Sequence, residues 1–155
     1  MNTGSQTMTD KMGFEGSRRI CKQYNNKRIR LTIGGKTYDY RSLKEGKLAG
    51  FFELLKKSKQ IKDWFYERGE LPFTDSSYLP DFEIIENDDS KTYYEFKGFV
   101  EPSTKRKITL LRKYYPDIRY IMIMADKRGI KKLGSRATAK CNRVCTIQEF
   151  IGSLY

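Results

Sequence analysis

Tyr78-Leu79-Pro80-Asp81-Phe82-Glu83-Ile84-Ile85 and, after a five-residue interruption, Lys91-Thr92-Tyr93-Tyr94-Glu95-Phe96-Lys97 form the stretch on which the reading of this chain turns. Both runs are rich in aromatic and β-branched residues, and Asn87-Asp88-Asp89 between them are polar turn formers, so residues 78–85 and 91–97 are expected to form a β-hairpin. Symmetry about Asp88 sets Asp81 opposite Glu95, Phe82 opposite Tyr94 and Glu83 opposite Tyr93. The two-residue strand period then sends Phe82, Ile84, Tyr94 and Phe96 to one face and Asp81, Glu83, Tyr93, Glu95 and Lys97 to the other. Directly opposed side chains lie about 5 Å apart, so Asp81 and Glu95 repel unless a cation lies between them. Carboxylate oxygens suit Mg²⁺, with Mn²⁺ as a substitute, and Mg²⁺ uses one or two carboxylates together with waters and phosphate oxygens. Lys97 shares that face and can stabilise charge on a phosphate or position water. Glu83 is a weaker candidate, better explained as an exposed strand residue, and turn chemistry accounts for Asp88 and Asp89.

Upstream, Ile29–Ile33 and Lys36–Tyr40 flank Gly34-Gly35, the pattern of a two-residue hairpin. Ser42 followed by Glu45 has the form of a capping box, and Leu48, Ala49, Phe52 and Leu55 recur at helical spacing, which predicts a helix to about Ser58. At 100° per residue Glu45 falls within that apolar arc and points inward. Ile61–Tyr66 returns the chain towards the sheet. Downstream, Pro102-Ser103 introduces a basic helix from about Thr104 to Tyr114 that Pro116 ends, and Ile118–Ala125 has the continuous apolar character of a central strand. Strand, helix, strand in this order predicts a mixed α/β sheet. Thr146 to Glu149 opens a short final helix.

Charge is unevenly spread along the 155 residues, whose formal net charge is +12. Residues 1–60 carry 14 basic and 5 acidic side chains, residues 61–102 carry 4 and 11, and residues 103–155 carry 13 and 3. An acidic island between basic flanks suits a protein that holds a polyanion while its carboxylates hold metal against it. The candidate phosphate contacts are Arg18, Arg19, Lys22, Lys27, Arg28 and Arg30 before the first strand, Lys105, Arg106, Lys107 and Arg112 on the basic helix, and Lys131, Lys132 and Arg136 beyond it. The tract from Lys127 to Arg143, broken by Gly129 and Gly134, is expected to be a mobile loop on DNA.

The chain has no His, which excludes Ser-His-Asp and Cys-His catalysis, His general-base nucleases and His-containing zinc sites. Three Cys in unrelated positions form no zinc or disulfide framework, and no apolar run is long enough for a bilayer, so a cytoplasmic protein is expected, with no membrane partner. Residues 1–17 are polar and aperiodic and are expected to be a flexible arm before a single domain over 18–155.

Pro80-Asp81 followed by Glu95-Phe96-Lys97 resembles the Pro-Asp…Glu-x-Lys signature of the PD-(D/E)XK nuclease superfamily. Within it the chain is most similar to the phage endonuclease I family of Holliday junction-resolving enzymes. The similarity extends to Lys97-Gly98, the basic helix, Tyr115-Pro116-Asp117-Ile118-Arg119 and an N-terminal helix with an inward Glu, here Glu45, and it covers residues 41–128. The resemblance implies an α/β restriction-endonuclease-like core, a mixed β-sheet flanked by helices. It also implies Mg²⁺-dependent hydrolysis of DNA phosphodiesters in a phage-infected or bacterial host cell. Asp81, Glu95, Phe96 and Glu45 would hold the metal, Glu45, Asp81, Glu95 and Lys97 would be the catalytic set, and two copies would act as a homodimer. Sequence-recognising nicking or homing enzymes share such a core, and a non-catalytic DNA-binding protein on the same scaffold is the alternative from another class.

Overall fold

The computed structural model describes residues 27–154. Residues 1–26, and with them the expected arm and the candidate contacts Arg18, Arg19 and Lys22, lie outside the described residues.

The chain opens with a hairpin, β1 (Ile29–Ile33) and β2 (Lys36–Tyr40), paired antiparallel with Ile33 opposite Lys36. Gly34 and Gly35 turn it at φ of 58° and 77°, conformations that side chains with a Cβ resist, so the pair of glycines is what makes the tight turn possible. Helix α1 (Leu43–Lys57) follows, capped by the Ser42 hydroxyl, which accepts from the Glu45 N–H at 3.2 Å. It turns Leu48, Ala49, Phe52 and Leu55 into the core. The hairpin packs against its first turn so closely that a Cβ at Gly46 would stand 2.7 Å from the Leu31 side chain.

Next come β3 (Asp63–Tyr66), the short pair β4 (Leu71–Pro72) and β5 (Ser77–Tyr78), then β6 (Phe82–Ile85) and β7 (Lys91–Lys97). Helix α2 (Pro102–Tyr114) leads to β8 (Arg119–Met124), and two short helices, α3 (Lys127–Leu133) and α4 (Ser135–Thr138), lead to β9 (Arg143–Thr146) and α5 (Ile147–Gly152). Five strands make one mixed sheet in the order β3-β6-β7-β8-β9. The first three are antiparallel, whereas β7, β8 and β9 run parallel and are joined through helices. Helices α1 and α5 cover one face, where Trp64, Phe82, Ile84, Phe96 and Ile123 are buried with Phe52 and Phe150. On the other face Tyr78, Tyr93, Tyr120 and Met122 pack with Ile108 and Leu111 of α2 and with Leu133 and Ala137 of α3 and α4. The protein is thus an α/β fold with a five-stranded mixed sheet between helical layers. Among the described residues no helix is long and apolar enough to cross a membrane.

Three expectations about the elements need correction. The first strand of the central hairpin is shorter than residues 78–85, because Leu79-Pro80 breaks it: Tyr78 pairs with Leu71 in the small β4–β5 ribbon, and β6 starts at Phe82. Ile61–Tyr66 does more than return the chain, since residues 63–66 are themselves the edge strand β3. The tract 127–143 holds regular elements where a loop was expected: Asp126 caps α3 through the Gly129 N–H at 3.0 Å, α4 follows, and β9 extends the sheet.

Candidate active site

Phe82 pairs with Tyr94, so the expected register holds and Asp81, one residue before β6, lies beside Glu95 of β7. Both carboxylates are buried, and both leave the apolar face to Phe82, Tyr94 and Phe96. Asp81 Oδ2 accepts from the Phe96 N–H at 2.8 Å, which ties the end of the Pro80 loop to β7. Glu95 is held from two sides. Its Oε1 is paired with Lys97 Nζ at 2.6 Å, as expected for residues two apart on one strand face, and its Oε2 accepts from the Tyr78 hydroxyl at 2.5 Å. The Tyr78 and Tyr120 hydroxyls are in turn 3.0 Å apart.

These groups perturb one another in directions that follow from the geometry. Burial, with Glu95 beside it and Glu45 nearby, pushes the Asp81 carboxyl well above the usual carboxylate range, and the Phe96 N–H only partly offsets this. For Lys97 burial favours the neutral amine, but attraction to Glu95 and Asp81 wins and raises it above the ordinary lysine value. Burial also drives Tyr78 and Tyr120 well upward, so both remain hydroxyl donors at neutral pH.

Glu45 enters from α1. Its Oε1 accepts from the Ser42 hydroxyl at 3.1 Å, and its Oε2 accepts from the Arg41 N–H at 3.1 Å and the Tyr66 hydroxyl at 2.6 Å. The capping residue and the inward carboxylate are therefore one unit. A cleft of about 830 Å³ brings Glu45, Asp81, Phe96 and Lys97 together, with Lys27, Arg41, Lys44, Lys47 and Arg128 among its other lining residues. Glu95 does not line it but stands behind Lys97. Among the described residues no three Asp, Glu, Cys or His side chains converge closely enough to hold a metal by themselves. A divalent ion nonetheless suits the donor set: hard oxygens of Asp81 and Glu45 share a cleft, and the proton affinity forced on Asp81 by burial and like charge is what a cation would relieve.

The candidate phosphate contacts are dispersed. Lys27 reaches the cleft; Arg28 is exposed, and Arg30 is exposed and pairs with Asp39 at 3.4 Å. Lys105, Arg106 and Lys107 are exposed on α2, as are Lys131 and Lys132 on α3 and Arg136 on α4. Lys105 and Arg136 line a second cleft of about 480 Å³ with Lys140. Arg112, expected to meet phosphate, is committed to the fold instead. Its guanidinium donates to the carbonyls of Lys140, Pro116 and Ile118 and to Asn142 Oδ1, which fastens α2 to the loop before β9. Glu83, expected on the surface, is buried and paired with Arg68 and Lys91, and so is committed to structure. Sequence reasoning missed Tyr78, Tyr66 and Arg41, whose roles depend on contacts between distant segments. The β4–β5 ribbon that positions Tyr78 has no sequence period to reveal it.

No protein-family model matches the chain, and no curated protein matches it.

Proposed function

We propose that this protein is a divalent-metal-dependent DNA endonuclease of the PD-(D/E)XK type, with a restriction-endonuclease-like core and a preference for branched DNA, as in junction-resolving enzymes. The observation that carries the reading is the shared cleft of Glu45, Asp81 and Lys97, with Lys97 held by Glu95 and a rim that supplies lysines and arginines. Helix α1 with its inward Glu45, the strand pair β6–β7, the basic helix α2 and strand β8 follow one another along the chain in that order, which supports the reading.

In this reading the basic rim binds backbone phosphate and brings a phosphodiester over the acidic floor. Asp81 and Glu45, with the main chain at Phe96, would hold Mg²⁺ or Mn²⁺, and Glu95, which pairs with Lys97 behind the cleft, would join them once Lys97 turned to substrate. Bound there, such an ion would supply positive charge against a phosphate oxygen and would make water easier to deprotonate, chemistry that needs no His base. Lys97, kept protonated by its acidic neighbours, donates to the charge that develops on the phosphate. Cutting both strands of a symmetric substrate calls for two such sites, hence a homodimer.

Supercoiled plasmid incubated with the protein and Mg²⁺ tests the proposal. Wild type should nick and linearise the DNA, and Lys97→Ala should slow this at least about a hundredfold, the scale of one electrostatic donor. Intact plasmid after hours with wild type would reject the proposal and favour the non-catalytic DNA-binding alternative, and equal cutting by the variant would reject Lys97 as a catalytic residue.

A further inference from the structure

The rim of the cleft is not only basic. Among the described residues four large hydrophobic side chains are conspicuously exposed, and two of them, Leu43 at 54% and Phe99 at 47%, line this one cleft. They come from separate elements: Leu43 is the first residue of α1, and Phe99 lies between β7 and α2, two residues from Lys97. Lys44, Lys47 and Arg128 share the same lining. Solvent-exposed apolar area is unfavourable, and here it is concentrated where cations are as well. A ligand that matches both presents anionic groups together with apolar surface, and on the DNA of the proposed reading these are phosphates and the flat faces of bases. Paired, stacked duplex offers its phosphates but hides its base faces, whereas a base freed from its stack at a branch, bubble or mismatch offers both.

We infer that Phe99, supported by Leu43, is a stacking platform for an unstacked base next to the scissile phosphate, and that this contact sets the preference for distorted DNA. The inference rests on the proposed nuclease reading and goes further in assigning the selectivity to particular side chains. The adjacent main chain explains the coupling. Phe99 and Lys97 flank Gly98 and both line the cleft, so the proposed base contact and the proposed phosphate contact share one site. Apolar side chains that enter opened base steps are a recurrent device of proteins that bind deformed DNA.

The test measures binding without divalent metal, so it stands apart from cleavage. The full chain is titrated into a duplex with a three-nucleotide bubble carrying 2-aminopurine and into a fully paired duplex of the same flanking sequence. Wild type should bind the bubble more tightly and change the 2-aminopurine emission. Phe99→Ala should lose about tenfold in affinity for the bubble, since stacking contributes roughly 1–3 kcal/mol per base, and much less for the paired duplex. Phe99→Trp should restore the preference, and Leu43→Ala should weaken it in part. The inference is overturned if wild type binds both duplexes alike, or if Phe99→Ala retains the preference and the emission change. Binding that follows the prediction in a protein that never cuts plasmid with Mg²⁺ would reject the nuclease reading alone.

Discussion

The Tyr78 hydroxyl is one of two groups that fix Glu95, and it is the one that can be removed without changing shape. Tyr78→Phe leaves Glu95 Oε2 buried without its donor, a loss of about 1–3 kcal/mol in stability. Urea unfolding of the purified variant measures that cost. If Glu95 orients Lys97, the same variant should lower the cleavage rate at saturating DNA while leaving metal-free DNA affinity within about twofold. A loss of stability with an unchanged rate would make Tyr78 purely structural. The proximity of Asp81, Glu95 and Lys97 was legible from the chain because a two-residue period converts spacing into facing. Glu83 shows where that logic stops: period assigns a face, but whether a face is wet depends on Arg68 and the β4–β5 ribbon, which come from elsewhere in the chain.

Asp63 binds three elements together. Its Oδ1 accepts from Lys36 Nζ of β2 at 2.6 Å and Lys56 Nζ of α1 at 2.9 Å, while Asp63 itself opens β3. Burial opposes its charge, yet the two lysines and the Trp64 N–H hold its carboxyl down at about 2, against 3.8 ordinarily. Its folded value lies below its unfolded one, so this contribution is complete above pH about 4 and is lost as pH falls towards 2. Asp63→Asn should therefore lower the melting temperature at pH 7 and narrow its gap to wild type below pH 3, as read by circular dichroism. An equal gap at both pH values would contradict the assignment. The hairpin β1–β2 and helix α1 were evident in sequence because a glycine pair and a serine cap are local chemistry. Strand β9 and helices α3 and α4 were not: Arg143-Val144-Cys145-Thr146 has no period of its own and becomes a strand only because β8 offers it an edge.

Over the molecule as a whole, the acidic middle segment supplies Asp81 and Glu95 while the basic flanks supply the rim and the exposed lysines of α2 and α3. Affinity for DNA should fall steeply with salt, with a log–log slope of roughly −0.9 for each phosphate neutralised. Lys105→Ala combined with Arg136→Ala should lower that slope by about two while preserving Mg²⁺-dependent chemistry, because both residues line the second cleft rather than the first. Fluorescence anisotropy over 50–300 mM salt, ranges on the order of those used to define such slopes, makes the measurement; an unchanged slope would remove that cleft from the DNA path.

Manganese anomalous diffraction from crystals of the full chain bears most directly on the claim that the floor of the first cleft holds a divalent cation. A peak bonded to Asp81, present in wild type and missing from Asp81→Asn crystals treated identically, is the outcome the account predicts. Manganese bound elsewhere, or no peak in a well-ordered cleft, would contradict it.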